Sequence, residues 1–101
     1  MSLAEIPQTT DTVVVAPAGD LDTATVDALH DEVAAHQRTG AQRVVVDLSG
    51  VSFIDSRGLG VLLVLRNAAK RAGHDLVLVP GPPRIQRVFA LTRTRGLFDW
   101  A

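Results

Sequence analysis

The chain has 101 residues and a mass of 10.8 kDa, the size of one ordinary domain, and is read here as a single domain over residues 1–101. Eleven acids (nine Asp, two Glu) meet ten bases (nine Arg, one Lys), a net charge of −1 that lacks the basic excess a nucleic-acid or membrane-surface binder needs. No cysteine is available for a disulfide framework or a thiolate metal site, and four aromatics (Phe53, Phe89, Phe98, Trp100) are few for stacking bases, so the core must be mostly aliphatic.

The N-terminus, Met1 to Pro7, has no basic start and no apolar core of signal-peptide length. The longest apolar run, Gly58 to Leu65, is eight residues with glycines counted, against the roughly 20 of a membrane span. A soluble, cytoplasmic protein is expected. In chain order, Thr12–Pro17 is short and β-branched, hence a strand, with Leu3–Ile6 a candidate partner across Gln-Thr-Thr-Asp. Asp22 or Thr23 is expected to cap a helix whose apolar positions Val26, Leu29, Val33 and Ala34 follow helical spacing, and Gly40 to supply its left-handed stop. Arg43–Leu48 reads as a strand apolar on both faces, as in a covered or parallel sheet. After a Ser49-Gly50 turn, Val51–Ile54 leads into Asp55-Ser56, and a helix is expected from about Arg57 to Ala72, ended by Gly73.

Asp75–Pro80 is a further buried strand, and Gly81-Pro-Pro83 opens a helix with proline where its missing N–H costs nothing. Ile85, Val88, Phe89 and Thr92 share one face of it, and Leu97–Trp100 is expected to fold back as a short strand or an apolar plug. The order β-β-α-β-α-β-α is an α/β pattern with short connections, for which right-handed crossovers are the default.

The chemistry of catalysis is hard to assemble from these residues. His30 and His36 are six apart on one helix, not the three or four that bring two ligands to one face, and His74 sits in a turn. The acid pairs Asp20/Asp22, Asp31/Glu32 and Asp47/Asp55 have little loop material around them to wall a substrate cleft, and the first two read as a helix start and a solvated face. Ser56 lacks the Gly-x-Ser-x-Gly elbow, since Ile54 stands two residues before it. Gly58-Leu59-Gly60 opens a helix after a strand, the context of a phosphate-binding turn, but Leu63 replaces the third glycine of the dinucleotide fingerprint and no Lys-Ser/Thr pair follows. Tight packing of helix on strand explains the glycines as well as nucleotide binding would. Val61–Leu65 reads as helix core. No enzyme, metal or cofactor is expected.

What remains is a serine at the mouth of a helix, beside Asp55 and close to two glycines. A serine there ordinarily caps the helix by accepting a backbone N–H bond. The same place tolerates a phosphate, because free N–H groups and the helix dipole both favour negative charge. Ser56 could thus be modified without unfolding the domain, and the charge read by a partner.

The segment Asp47-Leu-Ser-Gly-Val-Ser-Phe-Ile-Asp-Ser-Arg-Gly-Leu-Gly60 closely resembles the signature of STAS domains, specifically the bacterial anti-sigma factor antagonists. Gly19-Asp20-Leu21-Asp22 resembles the Gly-Glu-Leu-Asp after that family's early strand; Val79-Pro80, Arg87–Phe89, Leu91-Thr92 and Leu97-Phe98 extend the likeness along most of the chain. The resemblance implies the STAS fold, a mixed sheet of about four to five strands with packed helices. It also implies a partner switch. An unphosphorylated antagonist binds an anti-sigma factor that is also a serine kinase and so frees a sigma factor; phosphorylation of Ser56 ends the binding and a phosphatase restores it. The surface implied for the partner is Asp22, Asp55, Ser56, Arg57, Gly58 and Leu59, with Leu59 expected to be exposed, on a protein that is monomeric or a weak dimer. The alternative is a STAS subunit of another signalling or lipid-transport assembly, with Ser56 only a structural cap.

Three positions depart from the family pattern. Arg57 stands where Ser or Thr is usual, which is expected to soften the switch or select a different kinase, unless it is simply a solvated arginine. Arg93-Thr94 replaces Gly-Leu, so the third helix lacks its ready stop and is expected to run on or end irregularly. The chain ends at Ala101 where relatives commonly continue into another helix, leaving a short member and a missing tail both open. The near-neutral total also conceals a polarity. Residues 1–55 hold nine acids and two bases, net −7, and residues 56–101 two acids and eight bases, net +6, so the sign changes at Ser56.

Overall fold

The computed structural model describes residues 11–101, where strands and helices follow one another as β1 (Thr12–Val15), β2 (Gly19–Leu21), α1 (Val26–Arg38), β3 (Arg43–Asp47), β4 (Val51–Ile54), α2 (Ser56–Arg71), β5 (Asp75–Val79), α3 (Pro83–Leu91), a 3₁₀ turn (Arg95–Leu97) and β6 (Asp99–Trp100). The two stretches apolar on both faces, β3 and β5, lie at the centre of a parallel sheet of order β1-β3-β5-β6. Each of its three adjacent pairs is joined through one helix, as parallel strands require. Val44, Val46, Leu76 and Leu78 on one face of the sheet pack with Leu29 and Val33 of α1, Leu62 and Leu65 of α2, and Ile85 and Phe89 of α3 in a single core. The alternate positions Val45 and Val79 join Val14 and Ala101 on the other face, which is the two-residue period of a strand made visible. Among the described residues no helix is long and apolar enough to cross a membrane.

The α/β architecture agrees with the expectation from the sequence, and several details sharpen it. Every strand pairing among the described residues is parallel; Leu3–Ile6, the expected hairpin partner, lies outside them. Gly19–Leu21 and Val51–Ile54 were not counted as strands in the sequence, yet they pair as a second, two-stranded sheet. Helix α1 begins at Val26, later than a cap at Asp22 or Thr23 implies. Residues 22–25 form a turn of their own, in which the Asp22 Oδ1 accepts from the N–H groups of Ala24 (3.0 Å) and Thr25 (3.2 Å) and its carbonyl from Val26 N (2.9 Å). Gly40 (φ 100°) and Gly73 (φ 76°) terminate their helices as expected.

The C-terminal segment does fold back. β6 pairs with β5, and Phe89, Phe98 and Trp100 meet edge to face, with centroids 5.5 Å apart for the two phenylalanines and 5.0 Å for Phe89 and Trp100. Such contacts contribute about 0.5–1.5 kcal/mol each beyond area burial. The indole N–H of the half-buried Trp100 donates to the Arg95 carbonyl at 2.9 Å.

The end of α3 corrects one expectation. The helix neither runs on nor ends irregularly: it stops at Leu91, and Arg93 itself adopts the left-handed conformation (φ 59°) that glycine would take. Thr94 N then closes onto the Phe89 carbonyl at 3.0 Å, so the stop is retained with a residue whose Cβ is strained there. Arg93→Gly is therefore expected to raise the unfolding free energy by about 0.5–1 kcal/mol, less than the relief of strain because glycine also frees the unfolded chain. Urea unfolding of Arg93→Gly against Arg93→Ala checks it, since only the glycine variant removes the Cβ.

Candidate functional site

The site expected around Ser56 is built by the small sheet. β2 and β4 pair with Leu21 opposite Ile54, which sets Asp22 and Asp55 beside each other at the strand ends. Ser52 Oγ donates to Asp20 Oδ1 at 2.9 Å across the same pair. The chain leaves β4 through Asp55, whose N–H donates to the Leu21 carbonyl at 3.2 Å, and enters α2 at once. The register of β2 on β4 thus decides where the mouth of α2 stands.

Asp55, not Ser56, caps this helix. Its backbone is extended (φ −103°, ψ −176°) and its Oδ1 accepts from Gly58 N at 2.9 Å. An acid in this position satisfies one orphan N–H and also offsets the positive end of the helix dipole. Ser56 is the first helical residue, one position earlier than expected for α2, and is exposed; its hydroxyl makes no hydrogen bond among the described residues. The reading of Ser56 as a cap is accordingly replaced: the carboxylate before it does that work and leaves the hydroxyl free.

Arg57, also exposed, reaches back to α1, its Nη2 lying 3.3 Å from Asp27 Oδ1. With both side chains more than half exposed, the pair contributes at most about 1 kcal/mol and can be exchanged at little cost. The guanidinium is turned toward Asp27 and not toward Ser56. Gly58 is buried: a Cβ there would stand 2.6 Å from the Leu21 carbonyl oxygen and 2.9 Å from Ile54 Cγ1. The tight-packing reading of the glycines therefore holds for Gly58. It fails for Gly60, where a Cβ would meet nothing within 4 Å.

Leu59 is only 7% exposed, which corrects the expectation that it is an exposed leucine. The helical period carries it into the core with Leu62 and Leu65. The same period corrects the reading of Val61–Leu65 as wholly core, for Leu63 is half-buried and Val64 is 56% exposed. The stripe Ser56, Leu59, Gly60, Leu63, at helical i, i+3, i+4, i+7 spacing, forms one wall of an open apolar groove of about 290 Å³. Thr92, Thr94 and Phe98 form the other. Of these, Gly60, Leu63, Thr92, Thr94 and Phe98 were not candidates in the sequence. Gly60 alone carried a signal, as a glycine inside a helix, and it was explained by packing that the fold does not make.

The remaining acids are engaged locally. Asp47 is buried and accepts from Ser49 N and Ser49 Oγ, both at 3.0 Å, holding the turn into β4; it forms no acid pair with Asp55, which caps α2. His30 contacts its neighbour Asp31 at 3.2 Å. The two halves of the charge distribution meet beside Ser56, where Arg57 of the basic half reaches Asp27 of the acidic half; of the arginines farther on, Arg95 lies over the Trp100 ring, 5.7 Å from its centroid.

The local geometry ranks three substitutions. Asp55→Ala is expected to cost about 1 kcal/mol as a lost cap. Gly58→Ala is expected to cost about 2 kcal/mol, because the atom in its way is backbone and cannot rotate aside. Ser56→Ala should stay within about 0.5 kcal/mol of the parent. Chemical unfolding of the three proteins measures the order, and a loss in Ser56→Ala equal to that in Asp55→Ala would make the hydroxyl the cap.

The family description "STAS domain" matches residues 4–100. BtrV of Bordetella bronchiseptica, a candidate anti-sigma factor antagonist by its name, is 31% identical over 83 residues, covering 82% of this chain and 72% of the relative. The anti-sigma-B factor antagonist of Staphylococcus aureus is 30% identical over 79 residues, 78% of this chain and 73% of its own. The fold matches the Bacillus protein SpoIIAA, solved in unphosphorylated and phosphorylated forms, with TM-scores of 0.76 and 0.69 at 21% identity, over 92% of this chain and 82% and 85% of those. The chain belongs to the STAS domain family.

Proposed function

We propose that this STAS-domain protein is an anti-sigma factor antagonist that binds its partner when Ser56 is unmodified and releases it when Ser56 carries a phosphate. It acts as a binding protein and kinase substrate, without catalysis of its own, in the cytoplasm. The observation that carries the reading is the free, exposed hydroxyl of Ser56 on the first turn of a helix already capped by Asp55. Two relatives named for anti-sigma factor antagonism and a fold neighbour solved in both phosphorylation states support it.

The physical argument is one of a tolerated charge. A phosphate adds about −1.5 to −2 and three acceptor oxygens. At Ser56 it would sit at the positive end of α2, where first-turn N–H groups and the dipole favour an anion. Asp55 opposes it and Arg57 favours it. Because the Arg57–Asp27 pair is exposed and weak, the guanidinium can leave Asp27 for the phosphate, a doubly charged acceptor one residue away. The fold survives, while the surface presented to the partner gains negative charge. That Asp55 and not Ser56 is the cap supports this reading over the alternative, a STAS subunit of another signalling or lipid-transport assembly with Ser56 only structural.

Arg57 then tunes the switch: by neutralising part of the phosphate it narrows the difference between the two states. Incubation with purified anti-sigma factor kinase and ATP is expected to add one phosphate, at Ser56, as mass spectrometry of the peptide would read. Ser56→Ala is expected to stay bound whether or not ATP is present. Phosphate found at another residue, or on none, removes the antagonist reading. In Arg57→Ser the ratio of partner affinities between the unmodified and phosphorylated states should widen by about 2- to 5-fold, the upper range of one exposed charge contact. An unchanged ratio in calorimetry assigns Arg57 no part in the switch.

A further inference from the structure

The mouths of α1 and α2 stand side by side, since the two helices pack together and the strand register sets Asp22 next to Asp55. The turn of residues 22–25 pins the start of α1, with the Asp22 carboxylate accepting from Ala24 N and Thr25 N and Val26 buried behind it. Asp27 is therefore held on a fixed first turn, as the acid at the positive end of α1. The first turn of α2 has no acid beyond its cap, Asp55. It carries Arg57 instead, and the guanidinium goes to the other helix, Nη2 lying 3.3 Å from Asp27 Oδ1. One cation thus lies between two helix mouths.

A phosphate on Ser56 would give α2 the first-turn anion it lacks, one residue from Arg57. Successive side chains on a helix diverge by about 100°, so the two do not face each other. The arginine stem is long and more than half exposed, which lets its head swing across. Leaving Asp27 costs little, because that carboxylate is 73% exposed and keeps both water and the positive end of α1. A phosphate dianion with three acceptor oxygens is the stronger acceptor. Whatever Asp27 offers Arg57 is nevertheless subtracted from what the phosphate gains by taking it.

We propose that Asp27 is a positioning residue of the switch. It holds Arg57 away from Ser56 in the unmodified chain, yields it to the phosphate in the modified one, and by competing for it sets how much phosphate charge stays uncovered. The inference rests on Ser56 as the phosphorylated residue and deepens that reading, bringing α1 into a switch otherwise confined to α2. Asp27 and Arg57 then act with opposite sign. Without the arginine the phosphate keeps its full charge; without the aspartate the arginine covers more of it. Asp22, Asp55 and the His30–Asp31 pair one turn along α1 also face this region. They are unchanged in every variant below.

The test uses the full chain with phosphate placed on Ser56 by chemical ligation, which needs no kinase. A double-mutant cycle of Asp27→Asn and Arg57→Ser in urea unfolding cancels the loss of a first-turn acid and leaves the pair alone. The coupling should be about 2- to 5-fold in the folding constant of the unmodified chain and should vanish in the phosphorylated one. In phosphorus NMR the second pKa of the phosphate, ordinarily about 6, should rise in Arg57→Ser. It should fall by about 0.3–0.7 in Asp27→Asn, the same 2- to 5-fold on a logarithmic scale, and return to the parent value in Asp27→Glu. A coupling absent from the unmodified chain, or one that survives phosphorylation, overturns the proposal. So does an equal fall for Asp27→Asn with and without Arg57, which would be repulsion alone. Partner affinity is read separately: in Asp27→Asn the ratio between the two phosphorylation states should narrow by about 2- to 5-fold, the reverse of Arg57→Ser. A parent ratio of one, with the coupling and the phosphate pKa as expected, overturns the partner-switching reading and leaves the exchange of Arg57 standing.

Discussion

The Leu21 carbonyl oxygen is the point on which the site is set. It accepts the Asp55 N–H at 3.2 Å and lies where a Cβ on Gly58 would be, at 2.6 Å. A backbone atom of β2 thus defines both the last residue before α2 and the closest approach of its first turn. Neither contact has a rotamer to adjust. Side chains elsewhere in the core can repack by small amounts, but a helix resting directly on another segment's backbone has one position. Ser56 lies between these two contacts in sequence, so it is presented on a rigid mouth and not on a loop.

That constraint divides the work within Asp55-Ser-Arg-Gly-Leu-Gly60. Asp55 caps, Gly58 admits the backbone of β2, and Leu59 anchors the turn in the core. Ser56, Arg57 and Gly60 are left on the outside, the first without a hydrogen-bond partner among the described residues, the second in a weak pair with Asp27, the third over open space. The alternation follows from the helical period, which sends 55, 58 and 59 inward and 56, 57 and 60 outward. The residues that hold the fold and those left outside it are separated by angle around one turn of helix. A change in the outward set can therefore alter recognition with little effect on the fold.

The charge distribution has the same logic on a larger scale. The acidic half of the chain contributes α1 and the turn before it; the basic half contributes α2, α3 and the segment after them. Parallel topology places α1 beside α2, and the two halves meet where Arg57 reaches Asp27. Ser56 stands at that boundary because it is where the sequence changes sign and where α2 begins. A net charge of −1 describes neither side of it.

The central strands were legible because Val44–Val46 and Leu76–Val79 are apolar at every position, a pattern that a strand covered on both faces demands. The helix ends at Gly40 and Gly73 were legible for a local reason as well, since each needs a backbone that only glycine takes freely. The Asp-Ser-x-Gly-Leu-Gly segment marked the place of the site, being a local string with a local signature. What the string could not disclose was which residue does which job. β2 and β4 are three and four residues long and gain their identity only by pairing with each other across some 30 positions of chain. Without that pairing there is no Leu21 carbonyl over Gly58, and capping by Ser56 and packing by both glycines look equally reasonable. The groove is farther still from the sequence, since Ser56–Leu63 and Thr92–Phe98 meet only through the packing of α2 and α3 on one sheet. Hydrophobic period and backbone conformation are properties of neighbours, which a sequence records. Close approach and open space are properties of residues distant along the chain, and the tertiary structure alone assigns them.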